Sequence, residues 1–247
     1  MLSDLPLDSI INLDCLSGLK KLPDGCIDLV VMDPPYLMSK TGGGIFGNAN
    51  RSYLSELHTI VDGINNGILD ELMRVMKRPN IYIWANKTQH HQYLSYFAGE
   101  HGCNYDLLTW HKTNPIPMCG NRYLPDTEYL LFFRAEGVPL YGKYETKSKY
   151  YITKTNKEDK EKFGHPAIKP LHITRNIIIN SSKEGDIVLD PYIGSGTTAV
   201  AAVQTNRHYI GYEIEPNYAM MAKERIAAER PMLSAHRQSQ ILGQWEV

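Results

Sequence analysis

The segment Leu29-Val30-Val31-Met32-Asp33-Pro34-Pro35-Tyr36 constrains this chain more than any other. Its short apolar run reads as a strand buried on both faces, which belongs in a largely parallel sheet covered by helices. An acid, two prolines and an aromatic follow at its carboxyl end, the edge where open α/β sheets bind ligands. Each proline fixes φ and lacks an N–H, so the backbone there only accepts hydrogen bonds. An ionised aspartate is likewise acceptor-only. A rigid group of acceptors beside a flat ring suits a planar group bearing an NH₂, and a nucleobase answers that description. A tetrapeptide of this kind also serves as a stiff turn capping a strand, so a second motif has to decide.

That motif is Asp186-Ile187-Val188-Leu189-Asp190-Pro191-Tyr192-Ile193-Gly194-Ser195-Gly196-Thr197-Thr198. It reads as a buried strand ending in Asp190, a glycine-containing turn, and a helix from Thr197 to Val203. Strand, turn and helix in this order let a ligand approach the backbone closely. A phosphate-binding loop is excluded, because Thr197 stands where a lysine should follow Gly196. A dinucleotide fingerprint is incomplete as well. His208-Tyr209-Ile210-Gly211-Tyr212-Glu213 reads as the next strand, and an acid at its tip can accept both hydroxyls of a ribose. A glycine turn and a ribose acid without phosphate machinery point to a nucleoside-type cofactor.

The 247 residues suit one large α/β domain with insertions, or a domain plus a small lobe, and 43% hydrophobic content supports a sizeable core. No apolar run has the length to span a bilayer, and Met1-Leu2-Ser3-Asp4 carries no basic leader. A soluble, cytoplasmic protein is therefore expected. Cys15, Cys26, Cys103 and Cys119 contain no C-x-x-C pair, so reduced structural thiols are expected, with neither a disulfide framework nor a metal. A net charge of −1 means that nucleic-acid binding would need a local basic face. Residues 137–165 supply one: seven lysines (Lys143, Lys147, Lys149, Lys154, Lys157, Lys160, Lys162) are interleaved with Tyr141, Tyr144, Tyr150 and Tyr151. Glu145, Glu158, Asp159 and Glu161 make ordinary solvated surface an alternative, but the tyrosines favour a contact surface. Tyr150 and Tyr151 themselves suit either the core of a small lobe or contact with base or sugar.

Taken in order, these motifs resemble the S-adenosylmethionine-dependent amino-methyltransferases of DNA. The resemblance is to the permuted (beta) class of bacterial or phage type, in which the catalytic tetrapeptide precedes the cofactor loop, and it covers most of the chain. Asn12-Leu13-Asp14-Cys15 is similar to the family's adenine-contacting strand end, with Leu13 where glycine is usual. Gly164-His165-Pro166-Ala167-Ile168-Lys169-Pro170 resembles the segment that opens the helix before the cofactor strand and helps hold the methionine end. Asp190 to Gly196 matches the cofactor loop, with Tyr192 where phenylalanine is commoner. Trp110-His111-Lys112-Thr113-Asn114-Pro115 resembles the stretch that lines the target-base pocket.

The resemblance implies an α/β fold: a seven-stranded, mostly parallel Rossmann-like methyltransferase sheet with helices on both faces and a small target-recognition insertion. The catalytic half would be 1–136, the insertion 137–165 and the cofactor-binding half 166–247. Strands are expected near 9–13, 28–33, 80–84, 106–111, 128–134, 187–190 and 208–213, and helices near 65–77, 88–100, 170–182, 197–205 and 216–228. Leu69, Leu72, Val75 and Met76 form a core stripe at helical spacing.

Carried over residue by residue, Asp33, Pro34, Pro35 and Tyr36 are the expected catalytic positions. S-adenosylmethionine would be held by Asp14, Cys15, Asp33, His165, Lys169, Pro170, Asp190, Pro191, Tyr192, Gly194, Ser195, Gly196, Thr197, Thr198 and Glu213. Duplex DNA would be held by Lys112, Arg122, Lys147, Lys149 and Lys154. The glycine-rich stretch 39–50 would close over substrate. Family members with aspartate in the tetrapeptide act mostly on adenine and those with serine mostly on cytosine, so Asp33 implies the 6-amino group of a flipped adenine. The other readings are cytosine N4 methylation, an RNA or protein amino-methyltransferase, and a catalytically silent cofactor-binding DNA module. A homodimer and a cognate restriction endonuclease are partners the resemblance allows.

Overall fold

The computed structural model describes residues 5–35, 64–115, 120–121, 123–155 and 168–243, with side chains as far as 229. Among the described residues the strands are β1 (Ser9–Asn12), β2 (Leu29–Met32), β3 (Asn80–Ala85), β4 (Asn104–Lys112), β5 (Thr127–Arg134), β6 (Tyr150–Thr153), β7 (Ile187–Asp190) and β8 (His208–Glu213). The helices are α1 (Cys15–Leu19), α2 (Asn66–Val75), α3 (His90–Tyr93, continuing as a π-helical stretch Leu94–Glu100), α4 (Leu171–Ser181), α5 (Thr197–Gln204) and α6 (Pro216–Gly243).

Every residue of β2, β3 and β7 is buried, as their largely apolar sequences lead one to expect. Alternate side chains enter opposite clusters. Val30 and Met32 pack on the side of α1, α2 and α3, whereas Leu29 and Val31 pack on the side of α4, α5 and α6. Helix α2 starts where Asn65 Oδ1 accepts the Ile68 amide at 3.1 Å, and it buries Leu69, Leu72 and Val75 on one stripe.

The sheet order is β1-β8-β7-β2-β3-β5-β4-β6. All neighbouring pairs are parallel except those of β5, which runs against both β3 and β4. From β7 the chain moves by α5 to β8 on one side, while β2 lies on the other. Strand order therefore reverses between β7 and β2, the place where such sheets bind ligands.

The fold class is the expected one, but among the described residues the sheet has eight strands and not seven. The extra strand, β6, arises inside 137–165 and pairs in parallel with Thr109–Lys112 of β4. Its sequence Tyr150-Tyr151-Ile152-Thr153 is aromatic and β-branched, the composition that suits a pleated surface. Tyr151 turns into the core, while Tyr150 is 62% exposed and Ile152 61%. The surrounding lysines hide this four-residue signal in the sequence.

Candidate active site

The carboxyl ends of β1, β8, β7 and β2 meet at one edge, because these strands are parallel and in register: Asn12 lies beside Glu213, and Asp190 beside Gly211. Asp190 is the last residue of β7, Glu213 the last of β8, and Asp33 follows β2 directly. The topology thus collects the three acids from distant parts of the sequence.

Around Asp190 the turn is built by its own carboxylate. Oδ1 accepts the Tyr192 amide at 3.0 Å, and Oδ2 accepts the Thr198 hydroxyl at 2.5 Å. Gly196 has φ +83°, and an added Cβ would come within 3.0 Å of Ala222 on α6, so only glycine fits there. Ile193 N donates to Tyr212 O at 2.9 Å, and Gly194 N to Glu213 Oε2 at the same distance. Glu213 Oε1 accepts the Glu215 amide at 2.9 Å. The loop is therefore fastened to the tip of β8 through backbone and carboxylate together.

Burial pushes the Asp190 carboxyl up to about 7 despite its two donors, and the charges of Asp33 and Glu213 add to the rise. Burial also raises Glu213, although the Glu215 and Gly194 amides oppose it. An acid cluster of this kind, bordered by a glycine turn, fits a ligand that joins a ribose to a cationic group. Of the remaining expected cofactor residues, Asp14 caps α1, its Oδ1 accepting the Ser17 amide at 2.9 Å. The Cys15 thiol donates to Tyr192 OH over 3.4 Å. Burial raises the Tyr192 hydroxyl far above its ordinary range, with the Cys15 side chain adding to it. Pro170 precedes α4 as its amino-terminal cap residue, so Lys169 stands at the mouth of that helix.

The carboxyl edge holds a second charged group. Lys169 Nζ lies 2.8 Å from Asp33 Oδ2 and 3.0 Å from Glu128 Oε2, and Glu128 Oε1 lies 2.5 Å from Lys112 Nζ. Lys169 also sits over the Trp84 ring at 5.1 Å, and Lys112 over Trp110 at 5.2 Å. Burial alone would raise the Glu128 carboxyl, but the ammonium groups of Lys169 and Lys112 hold it below the ordinary range. Gln89, fully buried just before α3, donates from Nε2 to Pro35 O at 3.1 Å and so ties down the proline turn.

Lys112, expected against DNA, is thus tied to Glu128 with its side chain 17% exposed. Lys147 donates to Leu140 O at 3.2 Å, Lys149 pairs with Asp106, and Lys154 is exposed. Tyr36, His165, Arg122, the glycine-rich stretch 39–50 and Cys119 lie outside the described residues. Sequence reasoning missed Glu128, Gln89 and Arg225. The last, buried on α6, donates to Ser195 O at 3.2 Å and to Thr197 Oγ1 at 3.1 Å, bracing the glycine turn. One arginine among several charged residues on a helix gave no signal. Glu128 sits at the start of a strand, where an acid reads as surface.

Comparison with known proteins agrees with this geometry. A family model described as DNA methylase, covering N6 and N4 methyltransferases, matches residues 27–224. The chain is 31% identical over 238 residues to the type II methyltransferase M2.LlaDCHI of Lactococcus lactis subsp. cremoris, covering 88% of each protein. The crystal structure of the M1.HpyAVI–SAM complex superposes with a TM-score of 0.62 at 24% identity, over 88% of this chain and 98% of that one. The cytosine-N4-specific PvuII DNA methyltransferase superposes with a TM-score of 0.67 at 17% identity, over 91% and 92% of the two chains. With its site geometry, its sheet order and a match spanning most of its length, the chain belongs to the DNA methylase family of N6 and N4 amino-methyltransferases.

Proposed function

We propose that this chain methylates the exocyclic 6-amino group of adenine in duplex DNA. S-adenosylmethionine is the methyl donor; its sulfonium carries an electrophilic carbon and so supplies the driving force. The observation that carries the reading is the position of Asp33. It opens a turn whose two proline positions bring no N–H, at the switch-point edge that also carries Asp190 and its glycine turn.

An exocyclic amine is a poor nucleophile, since its lone pair is delocalised into the ring. Asp33 and the Pro34 carbonyl each accept one N–H and leave the lone pair directed at the methyl carbon. As the N–C bond forms and the S–C bond breaks, positive charge grows on nitrogen and both hydrogen bonds strengthen. They act mainly on the transition state. The cofactor would supply the methyl group and depart as a neutral thioether, and the nitrogen would pass one proton to water. Because the amine is paired inside a duplex, the base has to be flipped out, and Tyr36 is the residue proposed to stack on it. Asp14 and Glu213 would serve the nucleoside half of the cofactor, Asp190 and its turn the methionine half. A cognate endonuclease and a homodimer accord with the family.

The test is transfer of labelled methyl from S-adenosylmethionine to duplex DNA, RNA and protein, with the DNA digested and its bases separated. Label in 6-methyladenine supports the reading; label in 4-methylcytosine, or in RNA or protein alone, refutes it. Asp33→Ala should abolish transfer while leaving cofactor affinity within a few-fold.

A further inference from the structure

The line Asp33–Lys169–Glu128–Lys112 runs from the turn after β2, past the mouth of α4, to the start of β5 and the end of β4. Its acids and ammonium groups alternate. We propose that Glu128 is a positioning residue for methyl transfer: it takes up the charge of Lys169, and so keeps Asp33 a strong acceptor for the target amine. The inference rests on Asp33 being that acceptor.

Lys169 is nearly buried, with 9% of its side chain exposed, so its ammonium is little screened by water. It reaches Asp33 through Oδ2. Alone, such a cation would draw electron density from the carboxylate and weaken the other oxygen as an acceptor. It would also oppose the positive charge that grows on the amine nitrogen. Glu128 Oε2 at 3.0 Å divides the ammonium's charge between two carboxylates. Lys112 then balances Glu128 from its far oxygen at 2.5 Å. These four charges sum to zero, and Glu128 and Lys112 can each be changed without touching Asp33.

This arrangement predicts a reversal of sign between two substitutions. Glu128→Gln leaves the line with one excess positive charge and should lower kcat about ten-fold or more, with KM for S-adenosylmethionine moved less than about three-fold. Adding Lys112→Met to that variant removes the excess charge and should raise kcat again by about five-fold, although Lys112→Met brings no such gain in the parent. Glu128→Asp, which keeps the charge, should retain more activity than Glu128→Gln. Rates are read at saturating DNA and cofactor, with thermal melting of every variant.

A double variant no faster than Glu128→Gln overturns the inference, because loss of packing would not be mended by a second substitution. So does a Glu128→Gln variant that raises KM for the cofactor while keeping kcat, which would assign the line to cofactor binding. If Glu128→Gln melts below the assay temperature, the charge-balanced double variant is compared with the parent, and a loss beyond about a hundred-fold overturns the inference. Asp33→Asn is run alongside: parental activity there removes the acceptor assignment itself, whereas an inactive Asp33→Asn with no sign reversal removes only the role of Glu128.

Discussion

The amide of Gly194 donates to Glu213 Oε2 over 2.9 Å, so the acid expected to meet a ribose also ties down the turn that follows β7. Each carboxylate oxygen carries a second lone pair. On the proposed reading, Glu213 would hold the loop and accept ribose hydroxyls together, so that the turn would be set before the cofactor arrives. Burial raises its carboxyl, a cost that the two backbone donors partly offset.

Glu213→Ala should accordingly weaken S-adenosylmethionine binding by more than the ribose contact alone would give, about 1.5–3 kcal/mol or somewhat above. DNA affinity should change little. Calorimetry on both ligands checks this; an unchanged cofactor affinity would mean that the nucleoside pocket lies elsewhere.

On the proposed reading, Asp190 should make the affinity for S-adenosylmethionine depend on pH. Its carboxyl is pushed up to about 7 from an ordinary 3.8, chiefly by burial. In the protein without cofactor the folded state holds that proton more tightly than the unfolded chain does. Stability from this group is present at low pH and is lost as pH rises from about 4 to about 7. A cationic ligand favours the ionised form and expels the proton. Affinity for S-adenosylmethionine should then rise with pH until about 7 and level off, by up to about ten-fold per unit below it. Titrations in buffers of different ionisation heat would reveal the released proton. Asp190→Asn should flatten the profile.

Gln89 offers a test of the proline turn. Its side chain is fully buried, and Nε2 donates to Pro35 O at 3.1 Å and to Tyr93 OH at 3.4 Å. Gln89→Ala leaves that carbonyl unpaired in the interior, at about 1–3 kcal/mol of stability. Because Pro35 is two residues from Asp33, kcat should fall while the Kd for S-adenosylmethionine holds. Melting curves and single-turnover rates measure the two effects separately; a stability loss with an unaltered rate would show that the turn is rigid without Gln89.

Legibility in the sequence followed the range of each interaction. The strands β2, β3, β7 and β8 could be read because an apolar run between polar turns is a local pattern, and Asp33, Asp190 and Glu213 are legible as the residues those runs deliver. Topology alone then brings the three acids to one edge. Strand β6 escaped because its four residues lie among lysines, and its pairing with β4 is a long-range event. The short helix α1 escaped because its evidence is a single Asp14 cap. Glu128 and Arg225 could not be found at all: each is defined by partners far away in the chain, and neither residue type is unusual where it stands.

The last prediction concerns the DNA face, where the structure ranks the lysines that composition treated alike. Thr153 pairs with Lys112 at the carboxyl edge of the sheet, so Lys154 lies at that edge, whereas Lys149 precedes β6 and is set back by about 15 Å at strand spacing. Lys149 is paired with Asp106 and has 65% of its side chain exposed. Such a surface pair is worth about 0–1 kcal/mol, so a phosphate can displace it. If duplex DNA lies across the carboxyl edge of the sheet, Lys154→Ala should weaken binding more than Lys149→Ala. Replacing Lys147, Lys149 and Lys154 together should lower affinity for all sequences and flatten its dependence on salt, since each phosphate contact releases counterions. Methyl transfer at saturating DNA should survive. Asp106→Asn frees Lys149 and should strengthen non-specific binding slightly. Salt titrations of these variants decide it: a triple variant with the parent's slope and affinity would take the DNA contact away from this segment altogether.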